Sequence, residues 1–371
     1  MLSIRCWVLT FLRFFCRIKR YKGKWRSILA LLCCTAVVCG GCRRETPTPD
    51  STPTPTDNEM RGVWLSYIEL DAMLASGDPE GAIADAMKRC AAEGLNTVFF
   101  HVRAHDDAYY PSAVWTPVAA VTEGNVDPLA WAVREAHRQG LTLHAWINPY
   151  RIGAKAARQG FCFEKNGVWY RDPGDPDARQ SVVDGVREIL QNYPVDGIHF
   201  DDYFYPTGMA KEGEPFEGIP TGTDVTGWRQ TQVDTLVSGV YGLCRQYGKV
   251  FGVSPMADHR RCAAEAYANV TRWMQTAGYI DYICPQLYVG FRHESKPFLP
   301  LLEEWAALPR RKGVALYIGL ALYKVGLKND PYAGEGAAEW YTDTDIILRQ
   351  IEATRAKADG YVLFRYGNMM D

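Results

Sequence analysis

The chain has 371 residues, of which 47% are hydrophobic and 12% aromatic, enough for one large domain or two small ones with a sizeable core. Its formal charge of −2 hides an uneven distribution, because the residues before Cys42 include eight basic side chains and no acidic one. Without those eight, 33 basic residues face 43 acidic ones, a formal charge of about −10. The chain from Cys42 onward, called the body below, is therefore acidic. This argues against nucleic-acid binding, which needs a basic surface.

The amino terminus has the order of a bacterial lipoprotein signal. A basic run at residues 17–26 precedes an apolar run at residues 28–39, and then Gly40, Gly41 and Cys42 follow. This order is typical of a cleaved signal peptide with small residues at the cut. We expect residues 1–41 to be removed and Cys42 to be lipidated, which would hold the protein on the outer side of the cell membrane. An uncleaved anchor and a freely secreted protein are the alternatives.

Residues 42–58 form a tether in this scheme. They are dominated by alternating Pro and Thr, a composition that builds neither a helix nor a packed core but an extended, stiff segment. The folded domain is therefore expected at residues 59–371.

The cysteines of the body show no metal-ligand spacing. Six of the eleven cysteines lie in the first 42 residues. The other five are scattered and odd in number, so we expect buried thiols rather than a disulfide framework or a zinc site. No cofactor is expected.

Apolar, β-rich runs alternate with amphipathic helical stretches through the body. Eight runs are predicted as strands, at residues 61–67, 96–103, 141–150, 195–205, 250–255, 280–288, 314–322 and 360–366. Helices are predicted between them, at residues 79–93, 127–139, 178–192, 226–247 and 342–358, with shorter ones near 267–276 and 298–308. Buried strands that alternate with helices indicate βα units, and eight units favour an α/β fold of the (β/α)₈ TIM-barrel type. A doubly wound open sheet is the alternative.

Three long connections follow the second, third and fourth predicted strands, at the end of the barrel where active sites are built. They carry aromatic residues that suit stacking on sugar rings, although we expect half of them to hold the loops in place: Trp115, Phe161, Phe163, Trp169, Tyr170, Phe204, Tyr205 and Trp228. The chain ends five residues after the eighth strand. We therefore expect the closing helix to be missing or the chain to be a truncated product.

The fourth strand ends in two carboxylates, Asp201 and Asp202. Ile198 and Phe200 share one face of this strand, while His199 and Asp201 share the other. Because helices cover the outside of a barrel, the apolar pair should point outward and Asp201 toward the barrel axis. Two neighbouring carboxylates and a mouth of aromatic rings are what a glycosidase needs.

Other strand ends supply candidate partners at the same mouth. The third strand carries His144, Trp146, Asn148 and Tyr150 at period two, and we expect this polar and aromatic face to look inward. The sixth strand carries Gln286 and Tyr288 at period two, and Arg103 after the second strand could orient a carboxylate or a substrate acid group. The candidate substrate-binding residues are Arg103, Asp107, His144, Trp146, Asn148, Tyr150, His199, Tyr203, Gln286 and Tyr288.

Seven stretches of the body, taken in order, resemble the glycosyl hydrolase-like 10 family of envelope lipoproteins. They are residues 61–64, 96–103, 107–112, 145–151, 196–206, 285–288 and 319–324. The family includes a division-site hydrolase that acts on peptidoglycan strands lacking stem peptides. The resemblance implies a TIM barrel, a location in the envelope and catalysis by the acid pair carried onto Asp201 and Asp202. It also implies site roles for Arg103, Asp107, Asn148 and Gln286.

The sequence therefore predicts a glycoside hydrolase of a β-linked glycan, with peptidoglycan strands as the expected partner. One acid would protonate the leaving oxygen, while a second carboxylate would attack the sugar or activate water. Asp201 is the predicted central acid and Asp202 its first candidate partner. Asp107 and Asp258 are further candidates for the partner. A carboxyl separation of about 5–5.5 Å would make the enzyme retaining, and about 6.5–9.5 Å inverting.

Three other functions remain open from the sequence. The barrel could bind glycan without cleaving it and position cell-wall enzymes. It could be an anchored scaffold with an apolar surface patch. Three imidazole or carboxylate groups in the mouth could also hold a metal ion, as in a deacetylase.

Overall fold

The computed structural model describes residues 58–153 and 162–369. The predicted signal peptide, the lipidation site at Cys42 and all but the last residue of the tether lie outside these residues. In the described part of the chain, no helix combines the length and the hydropathy that a membrane span requires.

Eight parallel strands form a closed barrel in which every strand pairs with its neighbours in sequence, and the last pairs with the first. The strands are β1 (Met60–Leu65), β2 (Thr97–Arg103), β3 (Thr142–Ile147), β4 (Gly197–Phe200), β5 (Val250–Val253), β6 (Tyr282–Ile283), β7 (Ala315–Leu320) and β8 (Gly360–Phe364). Seven of them lie inside the predicted runs, and β1 begins one residue before the first run. The prediction of a (β/α)₈ TIM barrel is confirmed.

Helices surround the barrel and cover its outer face. They are Tyr67–Leu74, Pro79–Ala92, Ala119–Gly124, Pro128–Arg138, Pro176–Asn192, Val225–Gln246, His259–Glu265, Val270–Gln275, Phe298–Ala307, Glu339–Thr342 and Ile346–Arg355. Single 3₁₀ turns lie at Pro215–Glu217, Leu322–Lys324, Gly334–Gly336 and Tyr366–Met369. Several helices begin with an Asp cap followed by Pro, as at Asp78, Asp127 and Asp175, whose carboxylates accept backbone N–H groups of the first turn.

The alternation along β4 points in the predicted directions. Ile198 and Phe200 belong to the large apolar core between the strands and the helices. His199 points inward, where its ring contacts Trp64 and Phe99 of the small cluster that fills the barrel. The residue after Phe200, Asp201, also points inward and accepts a hydrogen bond from Trp146.

Two of the differences from the predicted elements affect the barrel mouth. The sixth strand is regular only over Tyr282–Ile283, because Pro285 has no N–H for the ladder, and pairing resumes as single bridges at Gln286. After β3, the expected irregular connection contains a small antiparallel sheet made of Arg151–Gly153, Val168–Arg171 and Cys162–Lys165. This sheet positions Arg151 beside the barrel mouth.

Candidate functional site

A pocket of about 260 Å³ opens at the carboxyl ends of the barrel strands. Seven of the eight strands contribute to it, through residues near or just beyond their carboxyl ends. This is where TIM-barrel active sites are built. Its lining consists of Trp64, Ser66, Tyr67, Ile68, His101, Trp146, Asn148, Arg151, Asp201, Asp202, Tyr203, Ser254, Gln286, Tyr288 and Phe364.

Asp201 and Asp202 both line this pocket. Asp201 is 4% exposed, and its two oxygens accept hydrogen bonds from Nε1 of Trp146 at 3.2 Å and from the backbone N–H of Tyr203 at 3.3 Å. Asp202 accepts from Nε2 of Gln286 at 3.3 Å. Because neighbouring Cα atoms lie about 3.8 Å apart, the two carboxyl groups are separated by no more than roughly 9 Å.

The environment of the two acids favours different protonation states. Burial, followed by repulsion from Asp202, raises the pKa of Asp201 well above its usual value. Burial also raises the pKa of Asp202, while hydrogen bonds from its own backbone and from Gln286 oppose the increase. Asp201 is therefore the acid that holds a proton more readily, and Asp202 the one that ionises more readily, a division that paired carboxylates commonly show.

One wall of the pocket holds Asp201 through a stacked pair of rings. The imidazole of His101 lies parallel to the indole of Trp146, with 3.6 Å between the ring centres and an 11° angle between the planes. Nε2 of His101 contacts Oδ1 of Asn148 at 3.2 Å, and the amide of Asn148 donates to the carbonyl of Ala104 at 2.9 Å. Burial lowers the pKa of His101, so this wall is neutral around the acid.

The opposite wall combines one amide with aromatic rings. Gln286 donates to Asp202 and also to the carbonyl of Ser254 at 3.0 Å, which fixes its side chain. The rings of Tyr288 and Phe364 stack with a 30° angle between their planes, and their centres lie 5.4 Å apart. Tyr323 continues this ring surface outward, 5.8 Å from Phe364 and 41% exposed.

Seven residues named from the sequence line the pocket: Asp201, Asp202, Trp146, Asn148, Tyr203, Gln286 and Tyr288. His144 and His199 do not. Both are buried inside the barrel, and each directs Nδ1 to the hydroxyl of Tyr282, at 2.9 and 3.0 Å. Nε2 of His199 accepts from the indole of Trp64 at 3.2 Å. The structure therefore places these two imidazoles in the packed interior of the barrel and not at a surface that a substrate can reach.

Arg103 and Asp107 also lie outside the pocket lining, where they shape the loops behind it. The guanidinium of Arg103 donates to the carbonyls of Asn148 and Pro149 and pairs with the carboxylate of Asp106. Asp107 accepts from two backbone N–H groups of its own turn, each at 2.9 Å. Arg103 therefore orients a carboxylate, as predicted, but it is the carboxylate of Asp106 and not one in the pocket.

Two further predictions on side-chain position are corrected. Tyr150 was expected to face inward with Trp146 and Asn148, but β3 ends at Ile147, the alternation stops there, and Tyr150 packs in the outer core. Asp258, a reserve candidate for the second acid, caps the helix His259–Glu265 and pairs with Lys296 at 3.2 Å. It does not line the pocket.

The eight loop aromatics were expected to divide between sugar stacking at the mouth and packing of the loops. None of the seven that fall among the described residues belongs to the pocket lining, and Phe161 lies outside the described residues. Trp115, for example, is buried against the guanidinium of Arg103, 4.8 Å from its ring centre.

The sequence analysis did not name eight of the lining residues as site residues: Trp64, Ser66, Tyr67, Ile68, His101, Arg151, Ser254 and Phe364. The ends of the first, fifth and eighth predicted strands already indicated five of them, because every strand end of a barrel faces the same mouth. Within residues 58–153 and 162–369, no three His, Cys, Asp or Glu side chains come together as a set of metal ligands.

Comparison with known proteins identifies the family. The model of the family described as "Glycosyl hydrolase-like 10" matches residues 59–333. The glycosyl hydrolase DigH of Escherichia coli strain K12 is 30% identical over 361 residues, which covers 80% of this chain and 82% of the relative. The glycosyl hydrolase YngK of Bacillus subtilis strain 168 is 29% identical over 347 residues, covering 81% of this chain and 66% of YngK.

Among solved structures, the glycoside hydrolase domain of PgaB (BpsB) from Bordetella bronchiseptica has the same fold. It superposes with a TM-score of 0.53 at 14% sequence identity, covering 84% of this chain and 95% of that domain. The family match and the relatives confirm the resemblance seen in the seven sequence stretches, and with it the predicted class, a glycosidase. The chain belongs to the glycosyl hydrolase-like 10 family.

Proposed function

We propose that this protein hydrolyses the glycosidic bonds of a β-linked polysaccharide, and that its substrate is the glycan strand of peptidoglycan without stem peptides. One observation carries the proposal. Two neighbouring carboxyl groups with raised pKa values, Asp201 and Asp202, lie together in a pocket walled by aromatic rings at the mouth of a TIM barrel. Membership of a glycosyl hydrolase family supports it.

The two acids divide the chemistry in this proposal. Asp201 holds its proton because it is buried, and it delivers that proton to the oxygen of the leaving sugar. The indole N–H of Trp146, which already contacts its carboxyl, then stabilises the carboxylate that remains. Asp202, held by Gln286, is the ionised partner that attacks the sugar or activates water.

The shape of the pocket fits part of a polymer. Its volume of about 260 Å³ lies below the roughly 300–1,000 Å³ of sites that enclose a drug-sized molecule, so it can take only a short part of a chain. The ring surface of Phe364, Tyr288 and Tyr323 leads from the pocket to the solvent. We propose that sugars next to the cleaved unit pack their apolar faces on these rings.

The choice of peptide-free peptidoglycan rests on the family resemblance, and a product analysis tests it. The purified protein is incubated with intact peptidoglycan and with strands freed of stem peptides by an amidase, and the soluble products are weighed by mass spectrometry. We expect glycan fragments from the peptide-free strands only. If the protein binds these strands without releasing fragments, the non-catalytic glycan-binding barrel is the correct function.

We also propose that the protein is held on the outer side of the cell membrane by a lipid on Cys42. The order of basic run, apolar run and two glycines before Cys42 supports this. Metabolic labelling of the full-length chain with a radioactive fatty acid tests it, with Cys42→Ala as the control. We expect label in the wild type only, and an unlabelled wild type would contradict the anchor.

A further inference from the structure

Arg151 places a positive charge in the pocket lining without a counter-ion. It begins the short strand Arg151–Gly153, and its guanidinium carbon lies 4.8 Å from the centre of the Tyr203 ring. Among the residues that the structure describes, no carboxylate lies within 4.0 Å of its guanidinium and no side-chain hydrogen bond is formed. Two nearby arginines differ, because Arg103 and Arg171 both pair with Asp106.

The two acids of the pocket do not take the place of that counter-ion. The oxygens of Asp201 accept from Trp146 and from the backbone of Tyr203, and Asp202 accepts from Gln286. Arg151 does act on both acids at longer range, and its charge opposes the increase in their pKa values. A direct partner for the guanidinium is therefore absent from the described part of the pocket.

A guanidinium held against an aromatic ring in a pocket is suited to one kind of ligand group. Its planar fork of N–H donors matches a carboxylate with two parallel hydrogen bonds, and the ring of Tyr203 restricts its orientation. An uncharged hydroxyl or acetamide group of a sugar would leave the positive charge uncompensated.

We propose that Arg151 binds a free carboxylate on the substrate sugar, so that the pocket selects an acidic glycan. This inference rests on the proposed function and deepens it. In peptidoglycan, the lactyl ether of the muramic acid sugar carries a free carboxylate once the stem peptide is removed, and an amide while the peptide is attached. Arg151 thus provides a physical reason for a preference for peptide-free strands.

The test compares two strands that differ only in this charge. Peptide-free strands are used as such or after their carboxyl groups are converted to primary amides with ammonia and a carbodiimide. The ratio of kcat/KM for the acidic and amidated strands is measured for the wild type, Arg151→Gln and Arg151→Lys. Arg134→Gln removes an exposed arginine that pairs with Glu80 away from the pocket, and serves as the matched control.

We expect the wild type and Arg134→Gln to prefer the acidic strand by about 10- to 100-fold, the range for a hydrogen bond between charged groups. Arg151→Gln should bring the ratio close to one, and Arg151→Lys should keep part of the preference because it keeps the charge. A role limited to the pKa values of Asp201 and Asp202 would instead shift the pH profile on both strands equally and leave the ratio unchanged.

The outcomes separate this inference from the proposed function. A wild type that cleaves both strands equally well, or an Arg151→Gln variant that keeps the full preference, overturns the role of Arg151 while hydrolysis stands. If neither strand is cleaved, the proposal of hydrolysis is wrong. Calorimetry then measures the binding affinities for the acidic and the amidated strand, and their ratio replaces the ratio of kcat/KM. A preference that Arg151→Gln abolishes still supports the carboxylate site, and equal affinities overturn it.

Discussion

Four side chains inside the barrel form a chain of three hydrogen bonds with a fixed direction. The indole N–H of Trp64 can only donate, so Nε2 of His199 accepts and its Nδ1–H donates to the hydroxyl of Tyr282. That hydroxyl then donates to Nδ1 of His144. Both imidazoles are neutral, in agreement with burial, which lowers the pKa of His144 to about 4. These residues stabilise the barrel below the pocket.

Single residues show where prediction from sequence succeeds and where it stops. The period of two along a strand correctly predicted which side chains of β3 and β4 point inward. It does not report how deep along the barrel axis a side chain lies. Asp201 comes two residues after His199, about 6.6 Å further along the strand, and this distance separates the pocket from the filled interior. His144 and His199 were therefore predicted to bind substrate, although they lie one layer of side chains below the pocket.

Asp172 supplies a prediction about pH. It is 3% exposed, its Oδ1 accepts the N–H of Gly174 at 2.8 Å, and burial raises its pKa from 3.8 to about 6. The folded state binds this proton more tightly than the unfolded state. The stabilisation is complete below about pH 4 and is lost as the pH rises through about 6, a decrease of at most about 3 kcal/mol. Asp172→Asn should remove this decrease.

Urea unfolding at pH 4 and pH 7 measures the effect. We expect the free energy of unfolding of Asp172→Asn to exceed that of the wild type at pH 7 by about 1–3 kcal/mol, with a smaller difference at pH 4. Asp85→Asn, at an exposed position, should stay within about 0.5 kcal/mol of the wild type at both pH values. If the difference between Asp172→Asn and the wild type is the same at pH 7 and pH 4, burial does not raise the pKa of Asp172.

At the scale of elements, the contact between β5 and β6 depends on a glycine. Gly252 pairs in register with Tyr282, and a Cβ atom added at Gly252 would lie 2.2 Å from the tyrosine ring. Gly252→Ala must move this ring away from the two histidines that it joins. We expect the substitution to lower the free energy of unfolding by about 1–3 kcal/mol, the usual cost of overpacking a core.

Gly239→Ala provides the matched control in a denaturant titration. Gly239 lies on an exposed face of the helix Val225–Gln246, and a Cβ atom there meets nothing within 4 Å. Alanine should stabilise this helix by about 0.5–1 kcal/mol, because glycine is the poorer helix former. Equal effects of the two substitutions would mean that the Tyr282 ring is free to move.

Most elements could be predicted because each strand of a parallel barrel is a buried apolar run between amphipathic helices. The elements that were missed had local signals that the hydrophobic pattern does not contain. The helix Tyr67–Leu74 begins with a capping box, in which Ser66 and Glu69 bond to each other's backbone N–H groups. The hairpin of Cys162–Lys165 and Val168–Arg171 turns at Asn166-Gly167, both with positive φ, a typical two-residue hairpin turn.

At the scale of the whole molecule, the barrel brings together residues that are far apart in sequence. The pocket joins Trp64 near one end of the chain to Phe364 near the other, because β1 pairs with β8. The sequence predicted that Asp201 and Asp202 lie together at this mouth, and the structure places both in the pocket lining. It could not predict that the long loop after β2 packs behind the mouth, since loop length does not determine the direction of its side chains. Arg151 was missed for a similar reason, because a small sheet outside the barrel positions it.

The central claim is that the acids at the barrel mouth break glycosidic bonds, and the most direct measurement is the rate of glycan cleavage by Asp201→Asn. Peptide-free peptidoglycan strands are incubated with the wild type, Asp201→Asn and the surface control Asp85→Asn, and new reducing ends are counted over time, with Tm recorded for each protein. We predict that Asp201→Asn folds with an unchanged or higher Tm and cleaves at least about 100-fold more slowly, the usual contribution of a general acid. Cleavage by Asp201→Asn at the wild-type rate would contradict the account.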